Sequence, residues 1–245
     1  MNQIDFSITI AHLYPELLNI YGDMGNISAI KNRCNWRGIN VNVVEIKSGY
    51  RINPDEFDFY FMGGGQDKQQ IEASIELLKN KERLHRAMES DAVFLAICGG
   101  YQLLGHYYLP KNAEKLDGIG LLDAYTKAGD KRFIGNITGS CPYINNSTIT
   151  GFENHSGLTF LKGDTKPLMK VLKGYGNNGK DKTEGARYKN VFGTYLHGSL
   201  LPKNPKFCDY LISLALKRKY KCEIPLQPLN DEIEEKAHNF CVKYK

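Results

Sequence analysis

The sequence predicts an α/β fold: a doubly wound, mostly parallel sheet flanked by helices, in a single domain that closes on C-terminal helices. Three observations carry this. Strand-like and helix-like segments alternate through the first part of the chain. The run Ala92-Val-Phe-Leu-Ala-Ile is continuously apolar and bounded by Glu89 and Asp91, the pattern of a parallel strand buried on both faces. Two strands run straight into glycines, at Gly63-Gly64-Gly65 and at Cys98-Gly99-Gly100, and an open α/β sheet gathers its chemistry at such carboxyl ends.

Residues 7–14 alternate and are rich in β-branched side chains, so they form a strand, which Pro15 ends. Tyr21-Gly22-Asp23-Met24-Gly25-Asn26 is a loop by its glycines. Asn26 caps a helix running to about residue 37, and Gly38 closes it. Residues 40–46 and 57–62 are the second and third strands. The third runs into Gly63-Gly64-Gly65-Gln66-Asp67. A helical pattern follows over 68–89, broken near Asn80, and then comes the strand that ends at Cys98 and turns into a helix.

After Pro110 the pattern changes. Residues 119–128, 133–141 and 148–161 read as strands, with turns at Asp117-Gly118, Gly129-Asp130, Asn145-Asn146 and Gly151. Residues 168–175 and 187–196 continue it, and 176–182 form a hairpin loop. Two amphipathic helices, 205–219 and 231–244, close the chain across a linker with Pro225 and Pro228. Residues 1–203 form one domain, and 204–245 are a helical extension packed on it. The length of 245 residues fits one large α/β domain.

Composition excludes several classes. Mean hydropathy is -0.42, and no apolar run approaches the roughly 18 residues that cross a bilayer. No secretory signal is evident at the N-terminus. The six cysteines, Cys34, Cys98, Cys141, Cys208, Cys222 and Cys241, include no C-x-x-C pair, so neither a metal site nor a disulfide framework is indicated. A reducing, cytoplasmic location is expected. The net charge of +5 is mild, and no aromatic interleaving of basic residues points to nucleic acid. The densest basic run, Lys217-Arg218-Lys219-Tyr220-Lys221, suits the negative end of the preceding helix.

Cys98 sits where a buried strand turns into a helix, the geometry of a nucleophile elbow. A helix N-terminus there favours thiolate over thiol. A cysteine nucleophile needs a base, usually histidine. His12 lies in a strand and reads as packing; His85 and His106 read as surface positions; His238 lies in the last helix. His197 ends the apolar run Val191-Phe-Gly-Thr-Tyr-Leu-His197-Gly198 and so repeats the placement of Cys98 at a strand end beside glycine. It is the expected base, with His155 in the turn-rich stretch 151–157 as the reserve. Backbone N–H groups of the 63–65 turn and of Gly99 are the available donors for an oxyanion.

Gly-Gly-Gly-Gln-Asp (63–67), Ala-Ile-Cys98-Gly-Gly-Tyr-Gln102, Gly-Phe-Glu-Asn-His (151–155) and Gly-Thr-Tyr-Leu-His197-Gly (193–198) together resemble the triad-type glutamine amidotransferases, in their cobyric-acid-synthase-like branch. His-Leu-Tyr-Pro (12–15), Tyr-Gly-Asp-Met-Gly-Asn (21–26) and Arg132-Phe-Ile-Gly resemble the glutaminase subunits of lipid II isoglutaminyl synthases. The resemblance covers about residues 7–200 and implies roles. Cys98 attacks the side-chain amide of glutamine and releases ammonia, and His197 acts as base and then acid. Gly64 and Gly99 line the oxyanion hole. Gln102 and Arg132 hold the substrate, Arg132 through a charged contact such as the α-carboxylate. It implies no cofactor. It also implies a heterodimer with a Mur-ligase-like synthetase subunit, which spends ATP to amidate the D-glutamate of lipid II; this chain itself carries no G-x-x-x-x-G-K-[ST]. The complex would act on the lipid-linked precursor without inserting in the membrane.

Two departures from that pattern stand out. Ala96 replaces a glycine of the elbow. Ser199 stands where many triad-type enzymes carry the glutamate that orients the histidine. A dyad, another carboxylate such as Asp23, or an acid supplied by the partner would fill that role. Two further readings are a glutaminase component for corrinoid amidation, which the lack of a fused ATP-binding domain disfavours, and a catalytically silent regulatory module.

Overall fold

The computed structural model describes residues 5–20 and 23–243; Tyr21-Gly22 of the expected loop and the end of the last expected helix at Tyr244 lie outside them. The first elements follow in the expected order: β1 (Ser7–Leu13), α1 (Met24–Asn35), β2 (Asn40–Ile46), β3 (Phe59–Met62), α2 (Asp67–Lys79), α3 (Lys81–Glu89), β4 (Val93–Ile97) and α4 (Gly99–Leu104). The break at Asn80 has a cause. Its side chain accepts from Ile52 N at 3.1 Å and donates to Tyr50 O at 2.9 Å, tying the helix junction to the loop before β3. Helix α1 begins three residues early, with Asp23 at its N-cap position. Asn26 does not cap it, because its Oδ1 accepts from Leu201 N at 2.9 Å.

The second half supplies β5 (Tyr107–Leu109), β6 (Leu116–Asp117), β7 (Ala124–Ser140), β8 (Thr148–Leu161), β9 (Met169–Lys173), β10 (Thr183–Glu184), β11 (Ala186–Tyr188), β12 (Val191–Thr194) and β13 (Leu196–His197), then α5 (Pro205–Tyr220) and α6 (Glu232–Lys243). The two strands expected on either side of Gly129-Asp130 are one strand, β7. The extra residues bulge out between Ala128 and Phe133, whose partners Gly157 and His155 are only two apart on β8. Gly151 is not a turn but a strand residue. A Cβ there would lie 2.8 Å from Leu196 Cβ, so the glycine admits β13 against β8. The single strand expected over 187–196 is three, β11 to β13.

Six strands form one sheet in the order β11-β12-β4-β3-β1-β2, parallel throughout except for the edge strand β11. Its faces explain the apolar runs. Val93, Leu95 and Ile97 of β4 join Ile8, Ile10, Phe59 and Phe61 in a core closed by α1 and α5. Phe94 and Ala96 join Tyr60 and Met62 in a second core, under α2, α3 and α4. Burial on both faces leaves no polar position in β4. His12 packs as expected, on the face of the first core, 5.5 Å from the ring of Phe61.

The remaining strands leave that sheet and build another, β10-β9-β7-β5-β6 with β8 between β7 and β13; apart from β5 with β7, its pairs are antiparallel. The short connection from β7 to β8, with Asn145 and Asn146 both at positive φ, permits only antiparallel pairing. Helix α5 is pinned to α1 by Arg33 and Arg37, which both reach Asp209. The basic run at its end is not simply solvated: Arg218 pairs with buried Asp58 at 2.8 Å. His85 is half-buried and donates to Ile119 O, whereas His106 is exposed and meets Asp123. No helix among the described residues is long and apolar enough to cross a membrane.

Candidate active site

The strand β4 delivers Cys98 to the carboxyl edge of the parallel sheet. Its N–H donates to Thr194 O of β12 at 2.8 Å, and its own carbonyl accepts from Gln102 N in the first turn of α4. Between these fixed bonds Cys98 adopts φ 50° and ψ -105°. Such a conformation costs a non-glycine residue about 1–3 kcal/mol, and it is the strained strand-to-helix turn that presents a nucleophile. The side chain stays partly exposed and opens on a cavity of about 720 Å³.

The surroundings of Cys98 work against the expected preference for thiolate. Burial pushes the Cys98 thiol up to about 12, helped by the charge of Asp23, and the Gly99 N–H and Arg132 offset this only in part. A six-residue helix has little dipole to set against that desolvation.

His197 lies just beyond the neighbouring strand β12, in β13. The chain pairs Thr194 with Ile97 in the first sheet, then crosses to the second sheet, where His197 pairs with Phe152 of β8. The imidazole is buried at this junction, beside the glycine turn; a Cβ on Gly64 would lie 3.2 Å from His197 Cε1. Burial, then Arg132, pulls its pKa down to about 4, so it is unprotonated near neutral pH. His155, the reserve base, lies in strand β8 rather than a turn. Its Nδ1–H donates to Gly157 O at 2.8 Å, and its ring stacks on Tyr195 at 3.6 Å. It too is buried, with a pKa lowered to about 4.

The cavity wall brings Cys98 together with Gln102, Arg132 and His155, from α4, β7 and β8. Arg132 donates from Nε to Asn154 Oδ1 at 2.6 Å. Gln102 is held within the protein: its Oε1 accepts from Gln70 at 2.9 Å, and its Nε2 donates to Tyr195 OH at 3.2 Å. The glycine turn departs from expectation. Gly64 N–H donates to Asp23 Oδ2 at 2.7 Å, and the glycine on the cavity wall is Gly65. Gly65 N lies against Gly99, 3.1 Å from where a Cβ on Gly99 would sit. Geometry therefore pairs Gly99 with Gly65 rather than with Gly64. Gln70, Asn154 and Lys68, also on the wall, were not anticipated. Only Asn154 carried a signal, as the neighbour of His155 in the 151–155 motif.

The CobB/CobQ-like glutamine amidotransferase domain model matches residues 9–205. A protein of Staphylococcus aureus described as "Lipid II isoglutaminyl synthase (glutamine-hydrolyzing) subunit GatD" is 45% identical, over 94% of this chain and 91% of its own length. A protein of Streptococcus pneumoniae with the same description is 40% identical, over 94% of this chain and 88% of its own. A chain of the PurLQS structure from Thermotoga maritima shares the fold at 15% identity, with a TM-score of 0.59 over 89% of this chain and 100% of that one. With a nucleophile elbow, a strand-end histidine and this breadth of match, the chain belongs to the CobB/CobQ-like glutamine amidotransferase family.

Proposed function

We propose that the chain is a glutaminase subunit that feeds ammonia to an ATP-using, Mur-ligase-like synthetase on another chain, for amidation of the D-glutamate of lipid II at the cytoplasmic face of the membrane. The observation that carries this reading is the strained turn at Cys98, opening on a cavity that also holds Arg132, with His197 in β13, the short strand that follows the adjacent β12. The length and identity of the match to subunits described as glutamine-hydrolysing support it.

In this reading Arg132 anchors the α-carboxylate of glutamine and directs its side-chain amide toward Cys98. His197 takes the thiol proton as sulfur adds to the amide carbon. The developing oxyanion receives backbone N–H bonds from the elbow and the facing glycine turn. Collapse breaks the C–N bond, and the imidazolium returns its proton to the leaving nitrogen, which departs as ammonia. Water, activated by the same imidazole, then cleaves the thioester to glutamate and restores the thiol.

The test is amidation of lipid II by the chain with its partner, with ATP and either glutamine or ammonium. Cys98→Ala is expected to abolish the glutamine-driven reaction while ammonium still supports turnover. Undiminished glutamine use by that variant would refute the assignment.

A further inference from the structure

Asp23 is the N-cap residue of α1, yet its side chain makes no capping bond. It is fully buried. One carboxyl oxygen accepts the Gly64 N–H at 2.7 Å, and the other, Oδ1, has no hydrogen-bond partner among the described residues. A buried carboxyl with an unsatisfied oxygen costs stability. Burial pushes its pKa up to about 7, against the pull of the Gly64 and Ile20 amides. Neither capping nor an ion pair explains the residue.

What Asp23 does hold is the glycine turn. Consecutive peptide N–H groups in a tight turn point in different directions, so fixing one fixes the next. With the Gly64 N–H drawn down to Asp23, Gly65 takes its place on the cavity wall against Gly99. The same turn of α1 is tied to the segment following His197. Asn26 accepts from Leu201 N, and Gly25 packs under Ser199, where a Cβ would lie 2.2 Å from the hydroxyl.

We propose that Asp23 is a positioning residue for the oxyanion site, holding the Gly64 amide so that the Gly65 N–H faces the cavity beside Gly99. The proposal rests on the glutaminase reading. It assigns Asp23 a task other than orienting His197 and makes Gly65 the second oxyanion donor.

The test compares Asp23→Ser and Asp23→Asn with the wild-type chain in complex with its partner. Serine caps helices well, so α1 is retained, but its shorter side chain stops short of Gly64. Its kcat for ammonia release should fall about a hundredfold, the order seen when one oxyanion donor is lost, with KM for glutamine within threefold. Alkylation of Cys98 by iodoacetamide, which forms no oxyanion, should stay within threefold of wild type. Inactivation by the glutamine analogue 6-diazo-5-oxonorleucine should slow along with kcat. Asparagine keeps an acceptor oxygen and should retain kcat within tenfold. A serine variant with kcat within threefold of wild type would overturn the proposal. So would one whose alkylation rate or thermal midpoint collapses with kcat, or an asparagine variant as slow as serine. Failure of the parent reading looks different: Cys98→Ala would then still release ammonia from glutamine.

Discussion

Cys98 occupies a position where its thiol resists ionising, and Arg132 is the cation on the cavity wall that acts on both it and His197. Its guanidinium is fixed by Asn154 rather than by a carboxylate, so its charge remains available to a substrate. Arg132→Ala should raise KM for glutamine at least tenfold with a smaller change in kcat, measured by steady-state ammonia release; a lost charge-assisted bond is worth about 1.5–3 kcal/mol. Arg132→Lys should recover only part of this, because an ammonium does not reproduce the planar fork. An unchanged KM would remove Arg132 from substrate binding. The placement of Cys98 at a strand end was legible because an apolar run stops there beside a glycine, and that of His197 only in part, since it ends β13 of the second sheet. The choice between Gly64 and Gly65 was not, since it depends on which amide a carboxylate 41 residues away captures. Gln70 was likewise invisible: its role as a donor to Gln102 exists only once α2 and α4 are packed together.

At the scale of elements, the site depends on how closely α4 lies over β12. Gly193 makes that approach possible. A Cβ there would sit 2.0 Å from Tyr101 Cδ2, and Tyr101 is wholly buried with its hydroxyl donating to Asn177. Tyr101 has no free space into which to retreat. Gly193→Ala should therefore lower stability by about 1–3 kcal/mol, the usual cost of overpacking, read from the urea midpoint. It should also slow glutamine turnover, because Cys98 hangs between β12 and α4; full stability in the alanine variant would show that the helix can lift off. The inner parallel strands β3 and β4 were legible to within two residues, since burial on both faces writes itself as an unbroken apolar run, whereas β12 was read as part of one longer strand over 187–196. The path of β7 was less so. Gly129 and Asp130 are turn formers, and only pairing with β8 turns them into a bulge. The crossing of β13 to the second sheet was also hidden, because it follows from the small Gly151 across from Leu196, more than forty residues away.

Across the whole molecule, titratable groups are buried in two opposing sets. His12, His155 and His197 all have pKa values lowered to about 4 by burial. They are neutral in the native chain but protonated in the unfolded one below pH ~6.5. Their contribution is present above that value and is lost as pH falls through about 4. The carboxyls act the other way. Burial raises Asp23 to about 7 and Glu184 to about 8. Between their unfolded and native values the native chain holds the extra protons, so their contribution is lost as pH rises. Toward pH ~8 the imidazoles become neutral in both states and the carboxyls dominate. The unfolded chain binds fewer protons there, and stability must fall with pH. Glu184 is the cleaner test, because it takes no part in the proposed proton transfers or oxyanion site. Its Oε1 accepts from Tyr195 N and Thr194 Oγ1, while Oε2 has no partner among the described residues. Glu184→Gln keeps the accepting oxygen and removes the ionisation. Between pH ~6.5 and ~8 wild type should lose about 2 kcal/mol through Glu184, seen as a falling urea midpoint, and the glutamine variant should lose distinctly less. Parallel slopes in the two proteins would mean that Glu184 is already ionised at pH 6.5, with water or a backbone shift satisfying Oε2.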